Sequence, residues 1–410
     1  MTEPTPALRH AEDPSWVDLI WTQFRKRRLA SAALLGLCGL LLLAIAAPLL
    51  ASNKPLLWKP ADGPWSSPWL LSLFDQTFFE NGVDIFFNAL LVNLTLLGLP
   101  LGWAWRRAAA LPRAARGARR KRLVLGAIAA LGLTLGLNAA VPQSRPKVVY
   151  PQLEAELAAA GTPAFALYPP LPHSFRDGVL ADARAQPSLR HPLGTDAAGR
   201  DVLVRLIYGA RISLTIGVFA VSLYISIGTV LGALAGYFGG RVDLLIQRLI
   251  EVVICVPSLF LILSVAAFIE DRSIFHIMVI IAAVAWTTPA RLVRAEFLRQ
   301  RNLDFVAAAR AIGYPQHTII FAEILPNTLG PVLVSATFGV ASAILVESTM
   351  SFLGLGDITV PSWGQMLNAG RTSSEWILIL APGFAIFVTV SLLNLVGDGF
   401  RDAIDPKLRR

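Results

Sequence analysis

The sequence predicts an all-α, polytopic transmembrane helix bundle, and three observations carry that expectation. Of 410 residues, 55% are hydrophobic and only 15% charged, with a mean hydropathy of +0.59. Soluble globular chains do not reach this balance. Eight stretches are nearly free of Lys, Arg, Asp and Glu over the ~20 residues that a helix needs to cross ~30 Å of hydrocarbon. The basic residues gather beside alternate ends of these stretches, as the positive-inside rule requires. Their placement is that of a membrane topology, not of a nucleic-acid-binding face.

The first stretch, 29–52, follows "RKRR" at 25–28 and is longer than the ~7–15 residues of a signal-peptide core, so it reads as a span. The second and third, 85–105 and 123–141, flank "RRAAALPRAARGARRKR", which holds eight basic and no acidic residues. The fourth, 212–238, carries Gly228, Gly232 and Gly236, with Gly240 just beyond. Their four-residue spacing leaves a flat strip for a neighbouring helix. The fifth, 245–269, contains Arg248 and Glu251 one turn apart, close enough to pair. The remaining spans are 273–290, 328–350 and 376–397. Alternation then places both termini, 239–243 and the 291–327 loop in the cytoplasm. It places 53–84, 142–211, "EDR" at 270–272 and 354–371 outside.

These divisions give five regions: 1–52, 53–141 with its two-span hairpin, the external 142–211, the core 212–400, and a tail at 401–410. The Pro-rich segment 142–190 surrounds "PQLEAELAAAG" and reads as a small cap, too poor in core residues for an independent domain. "GTDAAGRD" at 194–201 has the G-x4-G spacing of a phosphate loop. Arg200 and Asp201 stand where that loop needs Lys and Ser or Thr. The stretch therefore reads as a turn and helix cap, with Asp201 at the helix start and "VLVRLIYGAR" as an interfacial amphipathic helix. His10, His173, His191, His276 and His317 are scattered in the sequence, and Cys38 and Cys255 lie within apolar runs. No catalytic or metal-ligating set is identified.

Between two apolar runs stands "DFVAAARAIGYPQHTIIFAEILP". As a helix, its first part places Phe305, Ala308, Ala309 and Ile312 on one face, and Gly313 is suited to a left-handed cap. A second short helix follows, with Pro315 near its first turn and Pro326 just before the next span. Small alanines allow a partner protein close to the backbone; a docking element and a plain interfacial hairpin both fit these residues. The span 328–350 carries Ser335, Thr337, Ser342 and Glu347, and polar groups within a membrane face protein or water. They are candidates for a translocation pathway. Helix packing accounts equally for the hydroxyls, and Glu347 could instead fix the turn at "SFLGLG".

The 307–326 stretch resembles the cytoplasmic coupling loop of ATP-binding-cassette importer permeases. That pattern is Glu-Ala-Ala, three residues, Gly, nine residues, Ile, one residue, Leu-Pro. It falls here on Ala307, Ala308, Ala309, Gly313, Glu323, Leu325 and Pro326, with Ala307 replacing Glu and Glu323 replacing Ile. "HPLGTDAAGRDVLVRLIYGARISL", "GYFGGRVDLLIQR", "SFLGLG", "PSWGQML" and "GDGFRDAIDPKLR" are similar to the dipeptide/oligopeptide/nickel subfamily, as its C-type subunit. The 142–190 segment looks nearest the microcin C/long-peptide branch.

This resemblance implies a six-span core to which the hairpin 85–141 has been added, in a multi-pass protein of the bacterial inner membrane. It implies a permease without catalysis of its own, binding no cofactor, while partner ATPases use ATP and Mg. The implied partners are a second permease, two cytoplasmic ATPases, a solute-binding protein and membrane lipid. The coupling residues would be Phe305, Ala307, Ala308, Ala309, Arg310, Gly313, Leu325 and Pro326. The implied cargo is peptide, with nickel or another small solute as the alternative. A membrane-embedded enzyme would need a catalytic constellation, and a passive channel would leave the docking hairpin unexplained.

Overall fold

The computed structural model describes residues 16–61, 63–111, 113–140, 148–269 and 273–404. A short helix α1 (Trp16–Lys26) leads into α2 (Arg28–Ile45), which breaks at Ala46 and resumes for one turn as α3 (Ala47–Leu50). After strand β1 (Leu57–Lys59) and α4 (Pro68–Ser72), helices α5 (Gly82–Ala109) and α6 (Arg113–Ala140) form the expected hairpin. Helix α7 (Tyr150–Ala159) and strand β2 (Phe165–Leu167) precede α8 (Val202–Phe238), the longest helix. Then come α9 (Gly240–Cys255), α10 (Ser258–Ala267), α11 (Ile274–Ala285) and α12 (Thr287–Gln300). The chain continues through α13 (Asp304–Ala311), α14 (Gln316–Thr318), α15 (Leu325–Phe352), α16 (Trp363–Ser373) and α17 (Ile377–Ile404).

Among the described residues, six helices are long and apolar enough to cross a membrane, and α9–α10 and α11–α12 are two further candidates bent by 79° and 43°. Prolines make the bends. Pro257 pushes Val256 into extended backbone (φ −98°, ψ 130°) between α9 and α10, and Pro289 removes a helical donor in the first turn of α12. The predicted "EDR" turn, 142–147 and 405–410 lie outside the described residues.

Two sequence-derived boundaries are corrected. The stretch 202–211 is not a separate interfacial helix but the start of α8, which runs unbroken for 37 residues. Arg205, Tyr208 and Arg211 on this stretch are all buried, which leaves no amphipathic face to lie on a membrane. The second short helix of the 314–326 stretch is likewise continuous with the following span, from Gln316 to Phe352. Wide π-type turns at Ile319–Ile324 absorb Pro326, whose ring would clash with the carbonyl four residues back in a regular α-helix.

The glycine strip does what its spacing suggests. A Cβ on Gly232 would sit 2.4 Å from the Ala290 carbonyl oxygen, and Gly228 and Gly236 press on α12 in the same way. Gly240 stands apart, with open space around it and a positive φ of 53°. Arg294 of α12 reaches Asp243 of α9 through two hydrogen bonds, at 2.5 and 2.6 Å. Arg301 donates to the Gly236 carbonyl at 2.9 Å, near the end of α8.

The hairpin packs on this core through Val83, Phe87 and Leu91 of α5, and one buried side chain, Arg211, adds a polar tie. Pro48 has no N–H to continue the ladder, so the break leaves acceptor capacity on the last carbonyls of α2. Fully buried Arg211 fills them, donating to Ala44 O at 2.7 Å and Ile45 O at 3.3 Å. Its remaining fork reaches Asp84 at 3.1 Å and Asn88 at 3.0 Å, both on α5. Asn88 in turn donates to Leu73 O at 2.8 Å. By contrast α6 packs chiefly on α5 and is otherwise exposed.

At the Val202 end of α8, β1 pairs antiparallel with β2 and a small cap forms. Phe79, Phe175 and Tyr208 stack in sequence, and Tyr208 donates to Ala51 O at 3.0 Å. The core of the cap is thus shared with the helices beneath it, which is why it is not a domain of its own.

Asp84→Ala leaves the Arg211 charge buried without its counter-ion and is expected to cost about 3–5 kcal/mol. Thermal unfolding in detergent checks this, and Asp84→Leu combined with Arg211→Met should recover most of the loss. An Asp84→Ala protein as stable as the parent would remove the pair from its proposed role.

Candidate functional site

Two features stand out once the helices are placed: a small helix at the Phe238 end of the bundle, and a cavity above it. Helix α13 starts from extended Leu303 and ends at Gly313 (φ +87°). The Tyr314 N–H bonds back to Ala309 O at 3.1 Å and that of Gly313 to Arg310 O at 3.0 Å, the pattern of a left-handed C-cap. Val306 and Ala309 are buried against Phe297, Ile320 and Ile324. The face expected to hold Phe305, Ala308, Ala309 and Ile312 together is split, with Phe305 half-buried and Ala309 buried against this cluster. Ala307, Ala308, Arg310 and Ile312 remain exposed. The helix therefore rests on the bundle by a narrow edge and offers most of its small-residue surface outward. Leu325 is half-buried and Pro326 exposed where the chain re-enters the bundle.

The cavity measures about 870 Å³ and lies between α8, α10, α11, α12, α15 and α17. Tyr224, Thr287, Ser335, Phe338, Ser342 and Arg401 are among its walls. Its lining is mostly apolar with a few hydroxyls, and the Arg401 guanidinium sits 4.8 Å from the Phe338 ring centre.

The four polar residues singled out on α15 separate in space. Ser335 and Ser342 line the cavity. Thr337 turns toward α17, where a Cβ on Gly397 would meet its hydroxyl at 2.9 Å. Glu347 is 1% exposed and held by serines. It accepts from Ser351 at 2.8 Å, with Ser348 at 3.5 Å and Ser362 and Ser213 facing the same carboxylate. That position ties α15 to the 354–362 turn and to α8, which is the fixing role left open for it in the sequence.

Sequence reasoning missed the fasteners around this site, though the motifs containing them were visible. Trp363 of "PSWGQML" donates its indole N–H to Leu206 O at 3.0 Å. Arg205 donates to Gln365 at 2.9 Å and lies 3.5 Å from Asp196. Asp201 does cap α8, accepting from the Val204 N–H at 2.9 Å.

Comparison with known proteins places this architecture. Residues 228–410 match the model of the binding-protein-dependent transport system inner membrane component, and residues 15–69 that of the N-terminal TM domain of oligopeptide transport permease C. A dipeptide transport system permease of Alkalihalophilus pseudofirmus is 42% identical over 227 residues, 54% of this chain and 74% of the relative. The chain belongs to this permease family. An oligopeptide permease of Haemophilus influenzae is 41% identical over 244 residues, 58% of this chain and 78% of the relative. A glutathione transport permease of Pectobacterium atrosepticum is 39% identical over 228 residues, 54% and 75% of the two chains.

The protein is accordingly a multi-pass, non-catalytic inner-membrane permease subunit of an ATP-driven importer. Family membership carries with it partner subunits in general: a second permease, ATPases and a solute-binding protein. Between the two matched stretches of the permease lie 70–227, which hold the α5–α6 hairpin, most of the cap and the first part of α8.

Thiol labelling separates cavity-lining from packing positions in this permease. In a Cys38→Ala, Cys255→Ala background, Ser335→Cys and Ser342→Cys should react with a small water-soluble maleimide, whereas Glu347→Cys should not. Equal labelling at 347 would show that Glu347 is reached by water.

Proposed function

We propose that this permease imports peptides and that α13, with the 303–326 stretch, transmits the work of ATP hydrolysis to the bundle. The observation that carries this reading is the posture of α13. It is an eight-residue helix seated by Val306 and Ala309 and exposing Ala307, Ala308, Arg310 and Ile312. A partner's groove can approach such a surface closely. In this reading Phe305, Ala309, Gly313, Leu325 and Pro326 keep the hairpin rigid, and the cytoplasm lies on the α13 side, with both termini. The cap faces outward, toward a solute-binding protein.

The complex is a heterodimer of two permeases with two ATPases, which bind and use ATP and Mg. Closure of the ATPases drags α13, and the bundle shifts between two packings that open the cavity to opposite sides. Ser335 and Ser342 lie on the pathway, and the largely apolar lining suits peptide side chains, with the hydroxyls bonding to the peptide backbone. Thr337 and Glu347 serve the pathway by fixing α15. Peptide cargo is supported by the relatives, which are dipeptide and oligopeptide permeases, and the 142–190 segment favours the long-peptide branch. Absence of the family's Glu at Ala307 leaves the ATPase contact to Arg310 and the small face.

Affinity capture of tagged protein from native membranes should recover a second permease and ATPases, and Ala308→Glu should release the ATPases. Gly313→Val has open space around its side chain but forces a positive φ at a β-branched residue, costing on the order of 1–2 kcal/mol locally. With normal expression, it should lower peptide uptake about tenfold while ATP hydrolysis persists. Uptake at the parental rate would sink the coupling assignment.

A further inference from the structure

Histidines that are scattered along the sequence meet in the cap. The His173 and His191 rings stack with centroids 4.4 Å apart. Ligand-competent atoms of His173, His191 and Asp201 all lie within 4.8 Å of one another. Each imidazole has one nitrogen already committed to an oxygen. His191 Nδ1 donates to Asp201 Oδ2 at 2.9 Å, while the other oxygen of Asp201 caps α8. His173 Nε2 donates to the Arg190 carbonyl at 3.0 Å.

These bonds set the tautomers. The lone pairs fall on His191 Nε2 and His173 Nδ1. His191 is only 5% exposed, and among the described residues its Nε2 has no hydrogen-bond partner. A carboxylate oxygen of Asp182 lies 3.8 Å from that nitrogen, and Arg190 approaches the same oxygen at 3.8 Å from a more exposed position. A buried, unpartnered ring nitrogen calls for a ligand, because an orphaned polar atom costs its full desolvation.

We propose that His173 and His191, with the carboxylate of Asp182, form a binding site for a divalent transition-metal ion, Asp201 orienting His191 through its Nδ1, with zinc as the best-suited probe. Two imidazoles and a carboxylate are the donor set that zinc and its neighbours take. The hydrogen bonds from Nδ1 of His191 to a carboxylate and from Nε2 of His173 to a carbonyl are those that orient metal-ligating histidines. Asp182, with its side chain 26% exposed, offers both an oxygen and a route from solvent, with Arg190 moving aside. The ion would clamp residues 173, 182 and 191 onto the N-terminus of α8, making cap stability depend on metal supply.

The test uses the full-length protein in detergent, stripped with chelator, titrated with zinc chloride and assayed for bound metal and for thermal unfolding. About one tightly held zinc per chain is expected, together with a rise in Tm. Both should be lost in His173→Gln and His191→Gln. Asp201→Asn keeps an oxygen for the helix cap and should weaken zinc about 10–100-fold. Absence of saturable binding in the parent, or binding undiminished in His173→Gln, would overturn the proposal. If His191→Gln does not fold, His173→Gln decides alone, since its ring is only half-buried.

Discussion

A guanidinium removed from water costs several kcal/mol unless each donor finds a partner, and Arg211 is fully buried. It joins three helices that are far apart in the chain. The broken end of α2 offers carbonyls, α5 offers Asp84 and Asn88, and α8 supplies the charge itself. Because breaking any one of these contacts strands the others, the three helices are fixed together at the cap end. The hairpin is consequently part of the bundle's foundation and not an appendage. Only its second helix, α6, is left to face the surroundings.

The rest of the molecule divides around that fixed point. Near it, side chains are locked by specific bonds: Tyr208 to Ala51, Trp363 to Leu206, Glu347 among its serines. Toward the Phe238 end, the contacts are those of small residues and ridges. Gly228, Gly232 and Gly236 let α12 press on α8, and α13 rests on the bundle by Val306 and Ala309. Two charged contacts also hold α12 at this end, Arg301 to the Gly236 carbonyl of α8 and Arg294 to Asp243 of α9.

Much of this was legible in the residues. Hydropathy located the six helices long and apolar enough to span and the two bent candidates, since every backbone polar group in lipid must be satisfied within a helix. Spacing announced the glycine strip, and the cap residues Asp201 and Gly313 announced helix ends. These signals are local, so a short window holds all the information. The unbroken start of α8 was missed because its polar residues look amphipathic until their partners are known. Ser335, Thr337, Ser342 and Glu347 were all pathway candidates in the sequence, yet only Ser335 and Ser342 line the cavity.

What the sequence by itself determined is therefore the class of protein, its spans and the resemblance that names its family. Those follow from composition and from motifs that are contiguous along the chain. Tertiary structure alone decided which polar groups meet. Arg211 and Asp84 are 127 residues apart, and His173 finds His191 and Asp201 only after the cap has closed over α8. A buried charge or lone pair can be satisfied by any partner of suitable chemistry, so its actual partner is set by the packing of whole helices, which no local pattern encodes.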